Sequence, residues 1–229
     1  MTLYESWRCV LRRYFCSFLG VALVALGVAT TANARLGVAP ISSIAYVAHC
    51  IAEELSWSPR FLWTLGATSF VLNLIFFVAQ WALERGDFFR RQFWQLPLTF
   101  VFSALIDFFG WTLGDVFYRA YVMQLIGTFL GCFFVALGIT FELVGDVLYL
   151  PGDGMVKSLA CAVKAPFGFT KATFDVSLLV VSLFASFATL GYVVGLREGS
   201  AICALSVGPL ARCLAPLVPR ARASLRIAT

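Results

Sequence analysis

The sequence predicts an all-α fold, a polytopic transmembrane helical bundle made of two tandem, pseudo-symmetric repeats. Three observations support this prediction. Hydrophobic residues make up 61% of the 229 residues and charged residues only 13%, whereas soluble domains have roughly 45–50% apolar and ~25% charged residues. Long runs carry no charge, and one pattern near the N-terminus returns in mid-chain. We therefore expect a single integral membrane domain over residues 1–229, with the lipid bilayer as its solvent.

The individual spans follow from the charge-free runs. A helix needs about 20 residues to cross about 30 Å of hydrocarbon. Two weaker candidates, 92–113 and 199–219, are interrupted only by Asp107 and Arg212 respectively. Four runs have no charge at all: Tyr14–Ala34, Phe61–Leu83, Ala120–Phe141 and Val176–Leu196.

The repeat is visible as a pattern at a fixed offset. Residues 18–27 read FLGVALVALG and residues 129–138 read FLGCFFVALG, so the offset is 129 − 18 = 111 residues. The same offset pairs Pro40 with Pro151. This predicts internal repeats at about 10–117 and 121–219, followed by a basic C-terminal tail at 220–229. The repeated glycines favour close helix packing between the halves.

Each half also contains a short, interrupted segment, Leu36–Ala52 in the first and Pro151–Gly168 in the second. Such segments at matching positions of two repeats are typical of transporter binding sites. A broken helix leaves backbone groups unpaired, and these are tolerated only inside protein or beside a polar cavity. Helix N-termini also favour anions. The alternative is an ordinary loop followed by a short packed helix.

The candidate substrate-binding residues lie in these segments and at charged positions between apolar residues. We expect them to converge on one polar cavity at the interface of the halves, because a charge facing lipid is costly. Lys157 would neutralise an anionic substrate or pair with an acid, and Asp107 would bind a coupling cation or a proton. The residues are Ser42, Ser43, His49, Asp107, Gly152, Asp153, Gly154 and Lys157.

Simpler interpretations stand beside these. Asp107 is also close enough to the end of its span to reach interfacial water. His49 is the sole histidine, so it cannot form a metal site alone, and its alternatives are proton relay or a plain hydrogen bond. Asp175 follows Lys171 by four residues, which predicts an ion pair on one helix face.

Other functions have no support in the sequence. The seven cysteines are scattered without a C-x-x-C pair, so we expect no metal and no cofactor, and cysteines that behave as small hydrophobes. No catalytic motif is present, which argues against an enzyme. Nucleic-acid binding is not expected either, since the basic residues lie beside membrane spans.

The distribution of arginine predicts orientation. Arg8, Arg12 and Arg13 near the start, and Arg212, Arg220, Arg222 and Arg226 near the end, place both termini on the cytoplasmic side of the plasma membrane. Re-entrant short segments would give six spans and inverted halves, and spanning ones would give eight and parallel halves. Arg85, Arg90 and Arg91 favour six spans, whereas Lys164 and Lys171 favour eight.

Several short motifs resemble the YitT/YczE/YyaS family of bacterial membrane proteins. They are L-G-V-A-P-I-S-S at 36–43, S-W-S-P-R at 56–60, R-E-G-S-A-I at 197–202 and V-G-P-L at 207–210. The resemblance covers roughly residues 12–215 and implies a Gly37–Pro40 element after the first helix and a Gly199-Ser200 element opening the last. The second repeat departs from it, with Leu148 in place of Gly37. The family implies location and architecture but no substrate.

Together these features predict a small secondary transporter or permease with a site at the repeat interface. Its partners would be the bilayer and an unknown small molecule or ion, and a homo-oligomer is compatible with the sequence. The alternative is a non-transporting accessory or scaffold protein of the membrane.

Overall fold

The computed structural model describes residues 3–55, 63–84, 92–114, 116–117, 120–147, 149–214 and 216–224. All regular secondary structure in these ranges is helical. The helices are α1 Leu3–Ala34, α2 Pro40–Glu54, α3 Leu65–Glu84, α4 Gln95–Leu113, α5 Tyr121–Gly145, α6 Pro151–Val163, α7 Phe167–Leu190, α8 Glu198–Leu214 and α9 Leu217–Ser224.

Five of these helices are long and apolar enough to cross a membrane: α1 from Cys9, α3, α4, α5 and α7. α8 has 17 residues and runs beside them. One predicted boundary is wrong, because α7 begins at Phe167 rather than near position 176. The helix includes Lys171 and Asp175, whose charges are compensated inside the protein, so a search for charge-free runs starts it too late.

The first helices of the two predicted halves, α1 and α5, cross at the centre of the bundle. A Cβ atom on Gly20 would lie 2.7 Å from the carbonyl oxygen of Gly138, and one on Gly27 would lie 2.6 Å from that of Gly131. The two backbones therefore touch, which lipid-embedded helices achieve with small residues. Early residues of α1 meet late residues of α5, so the two helices are antiparallel.

The remaining helices have matching neighbours in the two predicted halves. α4 packs on α1 and α8 packs on α5, while α2 packs on α7 and α6 packs on α3. The chain also turns alike after the two central helices, since Arg35 (φ 56°) and Asp146 (φ 49°), 146 − 35 = 111 residues apart, are both left-handed. Apolar residues of α1, α4, α5 and α8 form the main core.

Contacts between helix ends define two faces of the bundle. The Asn33 face holds the end of α1, where the Asn33 amide donates to Gly110 O of α4 at 3.0 Å. It also holds the start of α3, since Gly66 N donates to Asp107 near the end of α4 at 2.8 Å. α2 lies between the end of α1 and the start of α3. It therefore returns to the face from which it entered.

The opposite, Arg13 face, shows the same arrangement for α6. The Arg13 guanidinium near the start of α1 donates to Gly145 O at the end of α5 at 2.9 Å. Gly168, at the start of α7, lies against Arg212 at the end of α8. α6 connects the end of α5 to the start of α7, so it also fails to cross. Among the described residues, six helices then run between the faces: α1, α3, α4, α5, α7 and α8. Lys164, predicted to favour eight spans, lies on the Arg13 face.

Two of the seven cysteines are paired in the structure. Cys132 of α5 and Cys203 of α8 form a disulfide, so these two cysteines are not simply small hydrophobes. They are 71 residues apart, so no local motif could predict the pairing.

Some predicted features lie outside the described residues: the turn at 56–60, Arg85, Arg90, Arg91, Leu148, Arg226 and the side chains of Arg8, Arg220 and Arg222.

Candidate functional site

The two short helices meet head to head inside the bundle. α2 begins at Pro40 and α6 at Pro151, and proline suits a first helical position because its missing N–H is not needed there. Ile41 of α2 lies against Gly152 of α6, where a Cβ atom would overlap its side chain. The two non-spanning helices therefore start at one place.

A small cavity lies at this meeting point. Its volume is about 20 Å³, enough for a single water molecule. The hydroxyl of Ser69, which lines it, is buried and has no hydrogen-bond partner among the described residues. The polar residues around the cavity are Ser42 of α2, Ser69 and Asn73 of α3, and Asp153 of α6.

A buried ion triad extends from this cavity into α7. Lys171 Nζ lies 3.1 Å from Asp153 Oδ1 and 3.2 Å from Asp175 Oδ1. All three residues are at most 5% exposed. The ion pair predicted between Lys171 and Asp175 is confirmed, and Asp153 is an additional partner. Breaking such a buried arrangement is costly, because the remaining charge has no water to solvate it.

Glu142 of α5 adds a third carboxyl group to this region. It is 1% exposed, and its Oε2 accepts a hydrogen bond of 3.3 Å from Leu150 N, just before α6 begins. Leu150 precedes Asp153 by three residues, so Glu142 lies near the first turn of α6. The charge-free run of this span ends at position 141, one residue earlier, so Glu142 was not among the predicted site residues.

The first-half helix α2 has uncharged contacts instead. Ser43 Oγ lies 2.7 Å from Ser182 Oγ of α7, and both hydroxyls are buried. In the corresponding place on α6, Gly154 lies against Gln80 of α3 and Gln95 of α4. One turn further along α6, Ser158 donates to Glu84 at the end of α3.

A second and larger cavity, of about 550 Å³, opens at the Asn33 face. His49 and Asp107 lie here rather than at the small cavity. Asp107 accepts from Thr64 Oγ1 and Gly66 N, both at 2.8 Å. It therefore caps the start of α3 with its side chain, in the manner of an N-cap carboxylate. The wall also includes Asn33, Arg35, Tyr46 and Glu53.

His49 and Lys157 have local partners. His49 Nδ1 donates a hydrogen bond to Trp63 O, and His49 Nε2 lies 3.8 Å from Glu53 Oε2. Lys157 Nζ lies 3.2 Å from Asp146 Oδ1 and 4.1 Å above the ring centre of Tyr149, with its side chain 46% exposed. The expectation that Asp107 and Lys157 share one cavity is therefore wrong, because each is satisfied at its own end of the bundle.

The predicted residues thus divide into three groups. Ser42, Gly152 and Asp153 come together at the small cavity, with Ser43 and Gly154 next to them on the same helices. His49 and Asp107 share the larger cavity, and Lys157 lies apart. The sequence does contain an indication of the triad around Asp153. Lys171 and Asp175 are two charged residues, four positions apart, within an otherwise apolar stretch.

These features define a multi-pass integral membrane protein whose polar interior is built where two non-spanning helices meet. The chain belongs to a family of unknown function, DUF6198, whose family model matches residues 11–216. No curated protein and no solved structure matches it.

Proposed function

We propose that this protein is a small secondary transporter or permease with its site between two inverted halves. The observation that carries the proposal is the meeting of α2 and α6 at a cavity that Asp153 lines, beside the buried triad. Charged groups are retained inside membrane proteins mainly where they serve ion or substrate pathways. Helices that end within the bundle supply the partly unpaired backbone found at such sites.

Inverted halves are supported by the crossing of α1 and α5. If two equivalent helices pack antiparallel against each other, the rotation that exchanges them has its axis perpendicular to both. For spanning helices that axis lies in the plane of the membrane, which is the symmetry of inverted-repeat transporters. Each half then has three helices that cross and one that does not, and exchanging the conformations of the halves would move an opening from one face to the other.

The larger cavity is a suitable entrance from the Asn33 face. Ala29, Ile106 and Leu65 of its wall lie on the same helices as Val24, Phe102 and Ser69 of the small cavity, one turn or slightly more away. On the Arg13 face, Arg212 Nε would be 2.6 Å from a Cβ atom on Gly168. Arg212 therefore covers the start of α7, much as Asp107 covers the start of α3.

The proposal is tested without knowing the substrate. Ser42→Cys is placed in a chain whose five free cysteines are replaced by serine, and an impermeant maleimide is applied to vesicles of each orientation. We expect labelling from both faces if the cavity opens alternately. Thr31→Cys, at a fully buried position in the α1–α5 contact, is the matched control and should remain unlabelled.

Labelling from one face only, or from neither, would overturn the transporter proposal and favour the accessory or scaffold alternative. Ser69→Cys, on the same cavity wall, serves as a second labelling site if Ser42→Cys folds poorly.

We also propose that the Arg13 face is cytoplasmic in the plasma membrane. A reporter at Thr229 that is active only outside the cell would contradict this orientation.

A further inference from the structure

The buried cluster carries more acid than base. Lys171 contributes one positive charge, and Asp153, Asp175 and Glu142 contribute three carboxyl groups, all at most 5% exposed. With every group ionised, the formal charge is +1 − 3 = −2. Lys171 lies within 3.2 Å of both aspartates, and Asp153 also lies in the first turn of α6, where the helix dipole favours a negative charge.

Glu142 lacks the direct ion pair with Lys171 that both aspartates make in the described part of the chain. Its Oε2 receives one backbone hydrogen bond, from Leu150 N. Its Oε1 is fully buried and has no hydrogen-bond partner within the described part of the chain. An isolated carboxylate in a dry environment takes up a proton rather than remain charged.

The geometry points to Glu142 as an exchangeable proton-binding site, connected to the small cavity through Leu150 and Asp153. A proton that enters the cavity adds to the Glu142 carboxylate and gives a carboxylic acid, which changes the cluster from −2 to −1. Lys171 keeps its proton and its two aspartate partners.

If the protein is a transporter, as proposed above, this proton is its coupling ion. Protonation removes a charge from beside the start of α6 and so changes the balance between the states open to either face. That role rests on the proposed function, whereas proton binding by Glu142 does not.

Infrared difference spectroscopy on the protein in lipid nanodiscs tests the binding directly. Wild type should show the carbonyl stretch of a protonated carboxyl group at neutral pH, and Glu142→Gln should lose it. Glu198→Gln, which alters a glutamate whose side chain is 60% exposed, should keep it. A band that survives in Glu142→Gln, or none in wild type, would overturn the assignment. Loss of the band on adding sodium at constant pH would overturn it in favour of a sodium site.

The coupling role is tested on the Ser42→Cys background. The ratio of labelling from the two faces should change with pH, and Glu142→Gln should abolish that change while Glu198→Gln preserves it. A ratio that still varies with pH in Glu142→Gln contradicts coupling by this residue. An infrared band without two-sided labelling leaves the proton site in place and removes the transporter proposal, and the reverse result removes only the proton site.

Discussion

The helices α2 and α6 have the same backbone plan and different chemistry. Both begin with proline, both return to the face they came from, and both follow a left-handed residue. At α2 the contact with α7 is a pair of serine hydroxyls, whereas at α6 a buried triad joins Asp153 to Lys171 and Asp175. Both helices begin inside the bundle, because the polar backbone at a helix end must be surrounded by protein rather than lipid. The difference shows that α6 is joined to the buried ions, whereas the polar contact of α2 with α7 is uncharged.

The largest effect is expected from removing the cation of the triad. Lys171→Met leaves buried carboxylates unpaired and should lower the free energy of unfolding by about 3–5 kcal/mol. Unfolding in detergent measures the loss. Adding Asp153→Asn and Asp175→Asn should restore much of it, because the uncompensated charges are then removed. No recovery in the triple variant would mean that Lys171 stabilises the fold by packing alone.

A direct comparison of the halves comes from the matched glycines Gly27 and Gly138. A Cβ atom at either would lie 2.6 Å from a backbone oxygen of the facing helix. Gly27→Ala and Gly138→Ala should each cost about 1–3 kcal/mol by overpacking, and by similar amounts. Gly110→Ala, which meets nothing within 4 Å, is the control and should be neutral or stabilising. Clearly unequal losses at the matched pair would argue against equivalent halves.

A smaller effect is expected at the start of α3. Asp107→Ala removes the acceptor for Thr64 and Gly66, so it should cost about 0.5–2 kcal/mol, the usual value of an N-cap. Asp107→Asn keeps an acceptor oxygen and should cost less. Thermal unfolding of the two variants checks this order, and an equally large loss in Asp107→Asn would mean that its charge, rather than its hydrogen bonds, is required.

The smallest effect is expected at the uncharged contact of α2. Ser182→Ala removes the partner of Ser43, and an interhelical hydrogen bond in a membrane protein contributes about 0.6 kcal/mol on average. Ser43 retains a bond to Pro40 O, which limits the loss further. A destabilisation as large as that of Lys171→Met would contradict the contrast between the two helices.

Much of this architecture was predictable because it rests on local chemistry. Helix type, the approximate spans and the two proline-led segments follow from composition and spacing alone. The glycines of the repeated pattern were correctly assigned to packing, and they lie in the contact between α1 and α5. Asp107 shows the limit of prediction from local sequence. A lone acid between apolar residues signals a need for a partner, yet nothing in the spacing shows that the partner is the start of α3.

The sequence by itself determined that the chain is a helical membrane protein, where its glycines and prolines fall, and which charges need compensation. Only the tertiary structure decided that α1 and α5 are antiparallel, that α2 and α6 do not cross the bundle from face to face, and that Lys171 forms ion pairs with two aspartates. The reason is physical. Hydropathy and helix propensity act over one or two turns, whereas the position of a buried charge depends on contacts between helices far apart in the chain, such as Asp153 of α6 with Lys171 of α7 and Glu142 of α5 with Leu150.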